Sequence, residues 1–351
     1  MNMDAVQKIA DAVLYEGHLL YPYRASALKN RKRWNFGVLM PESYHQAFPD
    51  SDPCLTQTEC LVEGTECTRI EVKVRFLHLV KRRVGRLLEP MSTVLHSPPF
   101  QLVDSLQIGE QTVQSFEETM KRELDLPLQS LKDLLSTPPS RVFSFPLTRE
   151  CQPLRGSDGK AAGLLIREQE AITAQVDVTA TRCSKDLFKL TVVICNKTAV
   201  QWPMSRSRED MLPSSFVSVH TILAVDQGPF LSLIDPPAPA RAHIDDCRNV
   251  GAWPVLAGEA DNRSMLLSAP IILYDYPQIA PESPGNYFDG TEIDEMLALR
   301  VRTLTEREKQ EVRLTDEQTQ SLLERSDGLP VEHLWKLHGV LKTLRSRENA
   351  S

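Results

Sequence analysis

The sequence is short of the signatures that announce a reaction. It holds no GxSxG nucleophile elbow, no GxxxxGKS/T phosphate loop, no HExxH helix and no GxGxxG after a strand, so nucleotide-driven and dinucleotide-dependent chemistry rank last among the classes to consider. It lacks any run of about 18 apolar residues. Its first residues, MNMDAVQKIADAVLYEG, carry neither the basic start nor the long apolar stretch of an export signal, and the expectation is a cytoplasmic protein without membrane insertion. Positive charge is not in excess either. Lys and Arg total 40 against 47 Asp and Glu, a formal charge of −7, the wrong sign for displacing the counterions of a nucleic acid. Nor is there a CxxC pair. Seven cysteines, an odd number at 54, 60, 67, 151, 183, 195 and 247, read as reduced thiols rather than a disulfide framework.

What is present fits a folded protein of two or three domains. The 351 residues are 41% hydrophobic and 25% charged, enough for a sizeable core. The one concentrated basic run, Lys81-Arg82-Arg83 with Arg86, reads as the solvated end of a strand or helix. Cys54, Cys60 and Cys67 are spaced too widely for the tight loops that aim two sulfurs at one zinc. TECLVEGTECTRIEVKVRF reads instead as a hairpin turning near Glu63-Gly64, with Cys60 and Cys67 on its strands.

Periodicity sets out the rest. Val6, Ile9, Ala10, Val13 and Leu14 recur at helical spacing, with Gly17 as the stop. Alternation at Ile70, Val72, Val74 and Phe76 predicts a half-buried strand, while Val113, Phe116, Met120 and Leu124 predict a helix broken at Pro127 and followed by another over about 128–135. Beyond Pro138-Pro139 come strands: Ile172–Val178 paired with Phe188–Ile194, then Phe216–Val225 and Phe230–Ile234 joined by Asp226-Gln227-Gly228-Pro229. Thr291 with Asp294 and Thr305 with Glu308 have the form of capping boxes, and a last helix is expected from Val331 to about Arg345. The fold class predicted is α+β. Its parts are a mixed N-terminal region (1–137), a central antiparallel β sheet or sandwich (138–275), a rigid Pro/Tyr-rich connection (276–290) and a helical C-terminal tail (291–351).

Two kinds of candidate site stand out. His220 in VSVHTIL, Asp245 and Cys247 in HIDDC, and Asp289 beside Gly290 supply nitrogen, sulfur and oxygen donors of the kind borderline metals accept. Against them, neighbours on an extended chain point to opposite faces, a strand histidine is ordinarily a satisfied sheet residue, and acids at a helix start serve the dipole. The second candidate is YDYPQIAPESPGNYFDGTEIDE, 274–295. Pro277, Pro281 and Pro284 keep it extended and stiff, and Tyr274, Tyr276, Glu282, Tyr287 and Phe288 give it the composition of a partner-binding segment. The same rings would also serve to staple the tail onto the sheet. Upstream, Tyr21, Tyr23, Arg24 and Trp34 form a similar aromatic and basic mixture.

At these residues the chain resembles a family. LLYPYRASALKNRKRWNFGVL (19–39), TECLVEG (58–64), SVHTILAVDQGPFLSLIDPP (218–237), NVGAWPVLAGE (249–259) and LLSAPIILYDYPQIAPESPGNYFDGTEIDEMLALRVRTLTEREK (266–309) are similar to a conserved family encoded beside actinobacterial-type, high-affinity uptake NiFe hydrogenases and their accessory genes. No shared string covers roughly 80–170, and the family brings no catalytic residues to transfer. The resemblance implies a non-enzymatic accessory protein for hydrogenase maturation or assembly, partnered by a hydrogenase subunit or another maturation protein. Two other readings stay open: a metal carrier or metal-dependent enzyme built on the donors above, and a subunit of the mature hydrogenase complex. No cofactor is predicted beyond such a metal ion.

Overall fold

The computed structural model describes residues 4–16, 23–24, 35–93, 98–109, 111–278, 294–315 and 317–328. The chain forms two compact units, Met1–His18 with Lys32–Gln278, and Leu19–Arg31 with Ile279–Ser351.

The first unit is built on strands β1 (Leu55–Glu63), β2 (Arg69–Met91), β3 (Phe100–Val103), β4 (Ser105–Ile108), β5 (Gln111–Gln114), β6 (Phe116–Asp125), β7 (Gln129–Ser130), β8 (Ser140–Phe145), β9 (Thr148–Arg155), β10 (Ala161–Gln169), β11 (Ile172–Arg182), β12 (Leu187–Asn196), β13 (Val217–Asp226), β14 (Trp253–Leu256) and β15 (Met265–Ala269). With them go the helices α1 (Asp4–Leu14), α2 (Glu42–Ala47), α3 (Leu131–Ser136), α4 (Arg208–Met211) and α5 (Arg241–Asp245). Every strand pairing among the described residues is antiparallel. One sheet has the order β1-β12-β11-β8, and a larger one runs β14-β15-β13-β2-β10-β9, with β3, β6 and β7 also on β2.

Alternation explains why the sheets stack. Cys60 and Val62 of β1, Val176 and Val178 of β11, and Leu190 and Val192 of β12 turn inward. They meet Ile70, Val72, Val74 and Phe76 of β2 and Leu223 and Val225 of β13 in one buried core. The back of the larger sheet is apolar too, through Ile222, Ala224, Leu267 and Ala269. There α1 lays down Val6, Ala10 and Val13, the stripe read from its sequence.

The α+β class, the β11/β12 hairpin and the N-terminal helix are as the sequence predicts; Gly17 lies outside the described residues. Several other expectations are corrected. The boundary at 137/138 falls within the sandwich, because β1 pairs with β12 and β2 with β10 and β13. The predicted hairpin at 58–76 does not form: β1 and β2 enter different sheets, Cys60 faces the core, and Cys67 is exposed between the strands. Residues 111–125 are strands rather than a helix. Their charged side chains pair across the ladder, Lys73 with Asp125 at 3.1 Å and Arg82 with Glu118 at 3.0 Å, and such cross-strand partners outweigh local propensity. The basic run is not a strand end but the middle of β2, where Lys81 also meets Glu170 at 3.2 Å. Phe230–Ile234 makes only an isolated bridge, Val62 with Phe230. The preceding turn packs so tightly that a Cβ on Gly228 would lie 2.2 Å from the Glu63 carbonyl oxygen.

The second unit shows α6 (Asp294–Arg302), α7 (Glu306–Arg313) and α8 (Glu317–Gly328). Thr305 and Glu308 form the predicted capping box on α7. Thr291 and the helix expected over 331–345 lie outside the described residues.

Candidate functional site

A cleft of about 200 Å³ opens in the sandwich unit, lined by Gly37, Asp52, Thr56, Val219, Trp253 and Pro270 among others. Three local departures from regular structure make it. β13 is irregular between Val217 and His220, with Ser218 at φ 54°, and such a bulge re-aims the side chains beside it. The segment before α2 closes onto this bulge: Ser218 N–H donates to Phe36 O at 3.1 Å, and Leu39 and Phe216 exchange backbone bonds of 2.8 and 3.1 Å. Gly37 makes the approach possible, since it sits at φ +56° and a Cβ there would lie 2.5 Å from Pro270 Cβ. The buried Asn196 amide then ties the segment down, donating to Leu39 O at 2.9 Å and Ser214 O at 3.0 Å.

The polar groups of the cleft are occupied within the protein. Thr56 Oγ1 donates to Val250 O at 2.7 Å, and the Asp52 carboxylate accepts from Arg208 Nε at 2.6 Å. The remainder is apolar contact: the Trp253 indole, 44% exposed at the cleft, with proline rings at 53 and 270. The segments that form the walls carry further exposed apolar side chains, Phe48 before Asp52, Val250 before Gly251 and Ile272 after Pro270. Exposed Trp202 and Met204 follow on a short turn packed against α2. Such a surface can hold an apolar side chain against an aromatic ring; it presents no free nucleophile or acid and base.

Trp253 also stands on a closed sheet edge. Leu256 N–H donates to Asp275 Oδ1 at 2.8 Å, and Leu256 O accepts from Tyr276 N–H at 2.7 Å. The residue of matching direction on β14, Pro254, has no N–H to offer. Asp275 is thereby a strap, also accepting from Ser232 Oγ.

The sequence-predicted residues fare differently. Tyr274 is 84% exposed. Tyr276 instead packs its ring on the sandwich core. Tyr23 is fully buried, and Arg24 is engaged by Glu308 at 3.2 Å and Glu311 at 3.7 Å, both on α7; both are corrected from partner contacts to internal ones. Tyr21, Trp34, Glu282, Tyr287, Phe288 and Asp289 lie outside the described residues.

The metal reading is not assembled. His220 is buried opposite Arg75, its Nδ1 2.9 Å from Ser218 O. Burial, and then the Arg75 guanidinium, lower its pKa to about 4, so its nearest ionic neighbour is a cation. Asp245 ends the short α5 and is exposed, while Cys247 points its thiol at His243 O, 3.4 Å away. Burial and then Glu59 push that thiol up to about 11, against the thiolate a metal requires. Among the described residues no three His, Cys, Asp or Glu side chains gather as a metal site.

No family model, curated protein or solved structure matches the chain.

Sequence reasoning missed Trp253 and Arg75. The first lay inside NVGAWPVLAGE without a spacing to mark it. Arg75 alternates with apolar residues as a wet-face position would, yet it is fully buried. Asp11 of α1 pairs with it, and Glu123 lies 2.9 Å from its Nε without the alignment of a hydrogen bond.

Proposed function

We propose that this protein is a non-catalytic docking protein acting in the maturation or assembly of a NiFe hydrogenase, which it serves by holding a hydrogenase subunit or maturation protein on the Trp253 cleft. The hydrogenase context comes from the resemblance of residues 19–39, 58–64, 218–237, 249–259 and 266–309. The observation that carries the docking role is a shaped apolar cleft lined by the exposed Trp253, with exposed Ile272 and Tyr274 following its lining residue Pro270 along the chain. An exposed aromatic at a cleft supplies contact area at low rotamer cost and is a usual anchor of an interface. The internal engagement of Asp52 and Thr56 suits a cleft that binds rather than reacts.

Affinity capture from cells making the hydrogenase tests this. Wild-type bait is expected to recover a hydrogenase subunit or maturation protein, and Trp253→Glu to recover at least tenfold less while melting at the same temperature. Recovery of the bait alone, or equal recovery by the variant, defeats the proposal.

A further inference from the structure

The four-stranded sheet ends on β1 at one side and β8 at the other, and its ends are finished in opposite ways. Asn196 N–H donates to Cys54 O at 2.9 Å. In the register of β1 on β12 this turns the odd-numbered residues of β1 outward, and four of these, Gln57, Glu59, Leu61 and Glu63, have partners. Gln57 exchanges two backbone bonds with Val250, at 3.0 and 2.9 Å, while Leu61 O accepts from Leu231 N–H and Glu63 N–H donates to Pro229 O, both at 3.0 Å. Between them, the Asn249 carboxamide stands in for a peptide group: its Oδ1 accepts from Glu59 N–H at 2.7 Å and its Nδ2 donates to Glu59 O at 3.2 Å.

On β8, Val178 N–H donates to Pro139 O at 3.3 Å. With the pairing of β8 and β11 in register, the odd-numbered residues face β11, and Ser140, Val142 and Ser144 direct their N–H and C=O groups outward. No residue caps these groups among the described ones, and the side chains of all three are exposed, Val142 by 65%. The usual guards of an edge are missing here. β9, which ends the larger sheet, carries Arg149, Glu150, Pro153 and Arg155, and β14 has Pro254 and its strap; β8 has neither a proline nor a bulge, and a single charge, Arg141.

We infer that β8 is the interface of a symmetric dimer, in which a second copy of this chain adds its own β8 antiparallel and joins two four-stranded sheets into one. The strand is self-complementary about a two-fold axis through Val142. Ser140 then faces Ser144 of the second copy, Val142 faces Val142, and Arg141 faces the Phe143 ring instead of another Arg141. About six backbone hydrogen bonds would form, and the two exposed valines would cover each other. A heterologous strand would gain the same backbone bonds, but only a second copy is certain to match this pattern of charge and bulk.

Sedimentation velocity across the micromolar range tests the inference on the full chain. Wild type is expected to pass from monomer to dimer with concentration. Val142→Lys sets two like charges face to face on the axis, and at least a tenfold weaker dimer is expected with an unchanged melting temperature. As a check of geometry, Val142→Cys, with exposed Cys67 and Cys151 replaced by serine, is expected to cross-link into a dimer when diamide accepts the two electrons and protons of the thiols. A wild type that stays monomeric overturns the inference and leaves the edge to a strand from another protein. A dimer that is indifferent to Val142→Lys and does not cross-link in the Val142→Cys variant overturns it as well.

Discussion

β1 and β8 belong to one sheet and carry the same kind of backbone, yet among the described residues one is largely partnered along its outer edge and the other is open. The difference is not in strand propensity, since both alternate and both bury their inner face in the same core. It lies in chain far away in sequence: residues 229–231 and 248–250 return to β1, and nothing among the described residues returns to β8. An edge is therefore a property of topology, and its sociability depends on what the rest of the chain can reach.

Four measurements would break or sharpen that contrast. The largest effect bears on neither edge and sets the baseline. His78 and His220 lie in the other sheet, each with a pKa lowered to about 4 by burial, and next by Arg122 and Arg75 respectively. Around His78 stand Arg122, Pro213 O and Glu170; around His220 stand Arg75, Asp11 and Ser218 O. An unfolded chain protonates both near pH 6.5 while the folded one does not. Stability is accordingly full above pH 6.5 and falls toward pH 4, by roughly 3 kcal/mol for each histidine at about 1.36 kcal/mol per tenfold change in proton affinity. Urea titrations at stepped pH should show this slope. The outward groups of β8, on Ser140, Val142 and Ser144, have nothing to titrate in that range, so the dimer constant should hold while the protein stays folded.

Next in size is the latch of the closed edge. The Glu59 carboxylate accepts from Arg248 N–H at 2.8 Å and Thr191 Oγ1 at 3.2 Å, and it lies 3.3 Å from Lys189 Nζ. Glu59→Ala should cost about 2–3 kcal/mol, the value of a charge-assisted hydrogen bond plus an orphaned donor, read from urea unfolding. If the edge opens with it, faster hydrogen exchange at Gln57 and Val250 should follow. Asn249→Ala removes only the peptide mimic and should cost about 1–2 kcal/mol. An unchanged midpoint would mean that solvent satisfies the Glu59 backbone equally well, and the edge would be closed by its neighbours alone. Smallest is Val142→Lys on the open edge, expected within about 0.5 kcal/mol of wild type for the monomer, because the position is exposed and has no partner among the described residues. A large loss there would mean that β8 is already covered.

The β11/β12 hairpin was legible because one face of each of these two strands is partly wet. At 172–178 and 188–194 polar and apolar residues alternate, and the hairpin followed from that period. At 111–125 the same reasoning failed: Val113, Phe116, Met120 and Leu124 fall at helical spacing, while the partners that decide the matter, Lys73, Arg75 and Arg82, lie on another strand. Exposure along the Pro/Tyr-rich segment was half legible. Tyr274 is exposed as its surroundings in sequence implied, but Tyr276, two residues on, folds back onto the core. His220 could not be judged from VSVHTIL, because its character is set by its burial and then by Arg75 across the ladder.

By itself the sequence determined the α+β class, the amphipathic N-terminal helix, the central antiparallel strands and the capped helix after Thr305, all of which rest on periods and caps within a few residues. Only the tertiary structure decided that residues before and after 138 share both sheets, that Asn249 closes part of one edge, that β8 has no strand partner on its outer side among the described residues and that Trp253 stands at a cleft. Each of those depends on contacts between segments distant along the chain, often more than a hundred residues apart, and such contacts leave no local pattern to read.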